Sequence, residues 1–155
     1  MVFKLPDKFF LVRGSAEGPS LLNSFDNALL AAGIGNTNLI RVSSIIPPGA
    51  VEISIPALPL GSLVPVAYSY ESSDVAGETI SAAVAVGLPE DTGEPGIIME
   101  HHLKGPAQEC EETARRLVLH AFENRRCGLK EVRSVVSTAK VLRTATAFAG
   151  VVLWA

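Results

Sequence analysis

Thr79–Val86 contains Ala82-Ala83-Val84-Ala85-Val86, a strictly apolar run with no polar residue alternating through it. A β-strand of that composition has no face to offer to water, so it is expected to be buried on both sides. The run is far shorter than the ~20 residues a membrane-spanning helix needs. The chain must therefore supply enough other apolar surface to enclose this strand.

The rest of the sequence supplies it in two periods. Lys8–Val12 is a short apolar strand ending at Arg13-Gly14, and Ser15–Pro19 is a turn-rich connector. Leu21, Leu22, Phe25, Ala28, Leu29 and Ala32 then fall at helical spacing, with Pro19 near the start and Gly33 just past the end. Asn23, Asp26 and Asn27 lie off that stripe. Asn38–Val42 is a strand ending at Ser43-Ser44, and Pro47-Pro48-Gly49 forces a break. Val51, Ile53 and Ile55 alternate with Glu52 and Ser54 as a half-buried strand. Val64–Glu71 and Gly96–Leu103 are further strands, and Pro89–Pro95 is a surface turn.

A second helix is expected from the Gly105-Pro106 break to about Arg126, burying Cys110, Ala114, Leu117, Val118, Ala121 and Phe122. Its glutamates lie near the start and its arginines near the end, which complements the helix dipole. Gly128 is the expected C-terminal cap, and Val132–Ser137 and Thr144–Trp154 are the closing strands. Strands in series with two inserted helices define an α+β class with a mostly antiparallel sheet. The length suits one domain over residues 1–155.

Composition narrows the function classes. Apolar residues make up 48% and charged residues 19%, which supports a packed core and argues against disorder. The net charge of −3 gives no general attraction to nucleic acid or an anionic membrane. Arg115, Arg116, Arg125, Arg126 and Lys130 read as a solvated helix face, since no aromatic residues interleave to stack bases. Neither a secretory core nor a membrane span is evident. Cys110 and Cys127 form no CxxC and read as reduced thiols, so the expected compartment is the cytoplasm.

The chemistry-bearing candidates are few. A Ser-Ser pair at a strand end is by itself an ordinary polar turn. Glu100 alone would be an outward-facing carboxylate, Asn38 a cap amide and Asp26 a solvated helix residue. Glu100-His101-His102 does not predict a metal site, because neighbouring strand residues point to opposite faces. No GxSxG elbow supports a serine hydrolase.

The order of several segments changes this picture. The stretch Asn38-Leu39-Ile40-Arg41-Val42-Ser43-Ser44-Ile45-Ile46-Pro47-Pro48 is flanked by Asn23-Ser24-Phe25-Asp26-Asn27-Ala28-Leu29-Leu30 and by Leu63-Val64-Pro65-Val66-Ala67-Tyr68. Ser73–Ala83, Gly96–Glu100 and Ala147–Trp154 follow. Together, from about Phe9 to Trp154, they resemble the pyruvoyl-dependent arginine decarboxylase family. The resemblance implies a layered αββα-type sandwich with two main helices. It also implies cleaved protomers assembled as a homotrimer with active sites between subunits, and L-arginine as the substrate, converted to agmatine and carbon dioxide.

It further implies that the precursor cuts itself between Ser43 and Ser44, into a β chain of residues 1–43 and an α chain of residues 44–155. Ser44 becomes a covalently bound pyruvoyl group, with no metal and no pyridoxal phosphate. By the same resemblance Glu100 is the general acid that protonates the substrate Cα after decarboxylation. Asn38 positions the scissile carbonyl or the substrate, and Asp26 binds the guanidinium. Gly35, Thr37 and Ile45 are binding contacts.

Elementary chemistry explains the serine. Its hydroxyl can attack the preceding carbonyl, and the resulting ester leaves by β-elimination where an amide would not. Hydrolysis of the dehydroalanine then releases ammonia and leaves a ketone that condenses with an amine and accepts electrons. One aspartate does not choose arginine over lysine or ornithine, so another cationic substrate stays open. So does an uncleaved paralogue serving as a scaffold.

Overall fold

The computed structural model describes residues 4–155. The chain forms β1 (Lys8–Glu17), α1 (Leu21–Ala31), β2 (Asn38–Arg41), β3 (Ile45–Ile46), β4 (Val51–Glu52), β5 (Leu63–Ser73), β6 (Thr79–Pro89), β7 (Gly96–Leu103), α2 (Ala107–Arg125), β8 (Leu129–Lys140) and β9 (Ala145–Trp154). One sheet has the order β2-β5-β9-β1-β4 and the other β3-β7-β6-β8. The long pairings are antiparallel; β1 with β4 and β2 with β5 are short parallel ones.

The layers follow from which side chains each strand buries. Ala82, Val84 and Val86 of β6 meet Ala145, Ala147, Ala149 and Val151 of β9 between the sheets. Ala83 and Ala85, on the other face of β6, pack against Cys110, Ala114 and Val118 of α2. On the outer side of the five-stranded sheet, Ala28 and Leu29 of α1 pack against Phe10, Val12, Val66 and Phe148. The result is an αββα sandwich of the α+β class, and Ile80–Gly87 is buried throughout, as its composition requires. Gly14 lets α1 lie this close, because a Cβ there would run into the Ala28 carbonyl and the Ala32 amide. Among the described residues, no helix is long and apolar enough to cross a membrane.

Several local expectations are corrected. β1 does not stop at Arg13-Gly14: its pairing with β9 continues from Lys8↔Trp154 to Glu17↔Ala145, and this ladder overrides the turn-forming residues. Glu17 then accepts backbone N–H groups of Leu142, Arg143 and Thr144 in the β8–β9 turn. These bonds hold its carboxyl below the ordinary value. In α1 the side chain of Ser20 caps the Asn23 amide. That phase buries Ser24, while Leu21 and Leu22 stay 48% and 78% exposed. The α2 helix ends on Arg126, whose left-handed backbone (φ 55, ψ 40) takes the capping position expected of Gly128. Leu117 is on the exposed side of that helix. Only Val51–Glu52 of the alternating Val51–Ile55 segment pairs as a strand.

Candidate active site

The Ser43–Ser44 bond lies where the chain passes from one sheet to the other. β2 pairs with β5 and β3 pairs with β7, both at sheet edges. The Val42 N–H donates to the Val66 carbonyl of β5 at 3.1 Å, and the Ser44 carbonyl accepts the Ile98 N–H of β7 at 2.8 Å. The crossing is made within two residues at the rim of the sandwich, with Ser43 exposed and Ser44 half-buried.

Strand alternation places Glu100 next to this crossing. Ile98 packs into the inter-sheet core, whereas Ile97 and Met99 pack toward α2. Glu100 and His102 therefore share the inter-sheet face with Ile98, the residue bonded to Ser44. Glu100 is half-buried, and that burial raises its carboxyl pKa above the ordinary value against the opposing pull of Arg41.

Arg41 reaches Glu100 from the other sheet, with Nη2 3.5 Å from Oε1. The same Nη2 donates to the Tyr68 carbonyl at 3.0 Å, and the guanidinium carbon lies 4.4 Å from the Tyr68 ring centroid. Further along the rim, His102 Nδ1 and Glu71 Oε2 are 2.7 Å apart. Ser69 donates to the carbonyls of Ala83 and His101 at 2.9 and 3.1 Å. The inter-sheet layer, apolar at β6 and β9, thus becomes polar where β5 faces β7. Beside it opens a groove of about 800 Å³ in which Leu21, Leu22 and Phe25 of α1 join Arg41, Tyr70 and His102. This groove is where the two exposed leucines go.

The remaining candidates are placed elsewhere. Asn38 opens β2, at the opposite end of that strand from Arg41, and its Nδ2 donates to the Gly61 carbonyl at 2.9 Å. Beside it, Thr37 Oγ1 donates to the Ile34 carbonyl at 2.7 Å. Gly35 packs so tightly that a Cβ would come within 2.6 Å of the Leu30 backbone nitrogen. Asp26 is exposed on α1. Ile45 pairs with Ile97 and is 41% exposed. The chain therefore brings Ser43, Ser44, Ile45 and Glu100 to one part of the rim and keeps Gly35, Thr37 and Asn38 as a separate group.

Sequence reasoning missed the Arg41–Tyr68 and Glu71–His102 partnerships. The available signal was a charged residue at the end of an otherwise apolar strand, just before the serine pair.

A model of the pyruvoyl-dependent arginine decarboxylase family matches residues 8–154. The pyruvoyl-dependent arginine decarboxylase of Methanocaldococcus jannaschii is 49% identical over 98% of this chain and 92% of its own length. That of Methanococcus vannielii is 45% identical over 98% and 93%. That of Pyrococcus abyssi is 40% identical over 99% of both. With a family match over nearly its whole length and relatives at this level of identity, the chain belongs to the pyruvoyl-dependent arginine decarboxylase family.

Proposed function

We propose that this chain is a self-processing decarboxylase that converts L-arginine to agmatine and carbon dioxide, using a pyruvoyl group made from Ser44. The observation that carries the reading is the two-residue crossing. The bond to be cut is at an accessible rim, and the backbone is anchored to different sheets on its two sides. A bond so placed can be broken without releasing either end, so a group derived from Ser44 stays in place.

The Ser44 hydroxyl attacks the Ser43 carbonyl carbon and moves the acyl group from nitrogen to oxygen. β-Elimination then frees the Ser43 carboxylate and leaves dehydroalanine at position 44. Water replaces the nitrogen, which departs as ammonia. The pyruvoyl carbonyl that results supplies an electrophile that takes up an amine and accepts electrons as carbon dioxide leaves.

The side chains then divide the remaining work. Glu100, whose carboxyl pKa is raised by burial, delivers its proton to the substrate Cα. Asp26 offers a charge-assisted partner for the guanidinium. Asn38 supplies an amide that orients the scissile carbonyl or the substrate. Gly35, Thr37 and Ile45 shape the pocket.

The separation of Gly35, Thr37 and Asn38 from Ser44 and Glu100 within one protomer supports a shared site. In a homotrimer a neighbouring copy presents one group to the other. The domain spans residues 1–155, cleaved into 1–43 and 44–155. We place the reaction in the cytoplasm, where thiols such as the free Cys110 and Cys127 stay reduced.

The test is reduction of the purified protein with borohydride in the presence of arginine, followed by mapping of the adduct. Label at residue 44 is expected, and an intact peptide across Ser43–Ser44 in active protein would overturn the proposal. Amine release from arginine, lysine, ornithine and histidine, measured side by side, checks the substrate.

A further inference from the structure

One cation at the rim has no task in the chemistry above. Arg41 ends β2, and its guanidinium is held by both the ring and the backbone carbonyl of Tyr68. From that seat it crosses between the sheets to Glu100 Oε1, at 3.5 Å. We propose that Arg41 is a positioning residue for the reaction: it holds the Glu100 carboxyl beside residue 44 and sets the pH at which that carboxyl releases its proton. This rests on the function proposed above.

The physical case is a balance at one carboxyl. Burial favours its neutral form, which a proton donor needs. A unit positive charge fixed nearby favours the ionised form, and fixation matters because a mobile surface cation would be screened. Stacking on an aromatic face and a carbonyl acceptor restrict the guanidinium to one place. The other ionisable groups at Glu100 are His102 on the same face of β7 and, opposite it on β5, Glu71, which is paired to His102 at 2.7 Å. The Ser44 carbonyl and Ile98 bring no charge. Among the described residues, Arg41 is the charged group paired to Glu100, at 3.5 Å. It also links the strand that precedes the cleavage point to the strand that carries the acid.

Full-length, processed protein with Arg41→Met, Arg41→Lys or Tyr68→Leu is compared with wild type for kcat on arginine across pH. Glu100 is also titrated directly by carboxyl-carbon NMR in unprocessed Ser44→Ala protein, with and without Arg41→Met. Because the donor must be protonated, kcat falls as pH rises through the Glu100 pKa. Arg41→Met is expected to move that fall, and the NMR titration, upward by about half to one unit, given the partial exposure of the pair. Arg41→Lys, which keeps the charge but loses the planar stacked seat, and Tyr68→Leu each shift it in the same direction as methionine by a smaller amount.

Coincident titrations for wild type and Arg41→Met overturn the inference. If Arg41→Met does not fold, an unmoved limb in Tyr68→Leu overturns it equally. An uncleaved, inactive wild type overturns the functional reading and this inference together. An active wild type with unshifted variants overturns this inference alone.

Discussion

Val42 and Ser44, two positions apart, are bound to different sheets: the amide of Val42 to Val66 of β5 and the carbonyl of Ser44 to Ile98 of β7. The backbone between them is a bridge whose two abutments would both remain if it were cut. Most strand-to-strand connections in a sandwich could be nicked as surface loops. This one differs in having no slack, because β2 and β3 are separated by only three residues.

Cleavage is therefore expected to leave the two pieces associated. Residues 1–43 include β1, which runs between β9 and β4 and pairs with β9 over its whole length. Denaturing electrophoresis and intact mass should show chains of residues 1–43 and 44–155, while native mass spectrometry shows them as one particle. Ser44→Ala should give a single intact chain with no carbonyl-reactive group, because alanine has no hydroxyl to attack the bond. An active preparation consisting of unbroken chain contradicts both statements.

Glu100→Gln should cleave normally and decarboxylate poorly. General acid catalysis contributes roughly 10²–10⁴-fold, and an amide cannot donate the proton in its place. Since the Glu100 carboxyl is held above its ordinary value, the wild-type enzyme should keep its activity to a higher pH than an unperturbed glutamate would allow and lose it as pH rises through that raised value. Steady-state kcat across pH for both proteins checks this, and near wild-type turnover in the variant removes Glu100 from the mechanism.

Asp26→Asn should process normally and raise KM for arginine. Loss of a charge-assisted hydrogen bond costs about 1.5–3 kcal/mol, or ten- to over a hundredfold in binding. Asp26 is exposed on α1 and its side chain does not support the core, so thermal stability should hardly move. A KM equal to wild type assigns the guanidinium to another group.

Gly14→Ala tests how α1 is seated. The added methyl meets the backbone of Ala28 and Ala32, which cannot rotate away as a side chain could. Overpacking of this kind costs about 1–3 kcal/mol, and a backbone obstacle puts it toward the upper end. Urea unfolding reads the loss, and unchanged stability would mean that the helix shifts on the sheet at no cost.

Glu17→Gln should destabilise the protein in a pH-dependent way. Three backbone amides favour the Glu17 carboxylate and lower its folded-state pKa. Its contribution is therefore present above the ordinary carboxylate range and disappears as pH falls through the lowered value. The Tm gap between wild type and variant should be open at pH 7 and close on acidification, and a gap independent of pH excludes the carboxylate as its cause.

Much of the architecture was legible along the chain. The apolar run in Thr79–Val86 demanded a strand covered on both faces, and the two helical periods placed α1 and α2 within a few residues of their observed spans. The serine pair by itself reads as a polar turn, and only the order of the segments around it, through the family resemblance, suggested a covalent chemistry for it. Tertiary structure alone decided where β1 ends, because its last residues are held by β9, more than a hundred positions away. It also decided that Leu21 and Leu22 face a groove, and that Arg41 meets a carboxylate 59 residues later in the chain. Such contacts depend on how two sheets are stacked and which edges face each other. Hydrophobic period records that a side chain is covered and does not record by what.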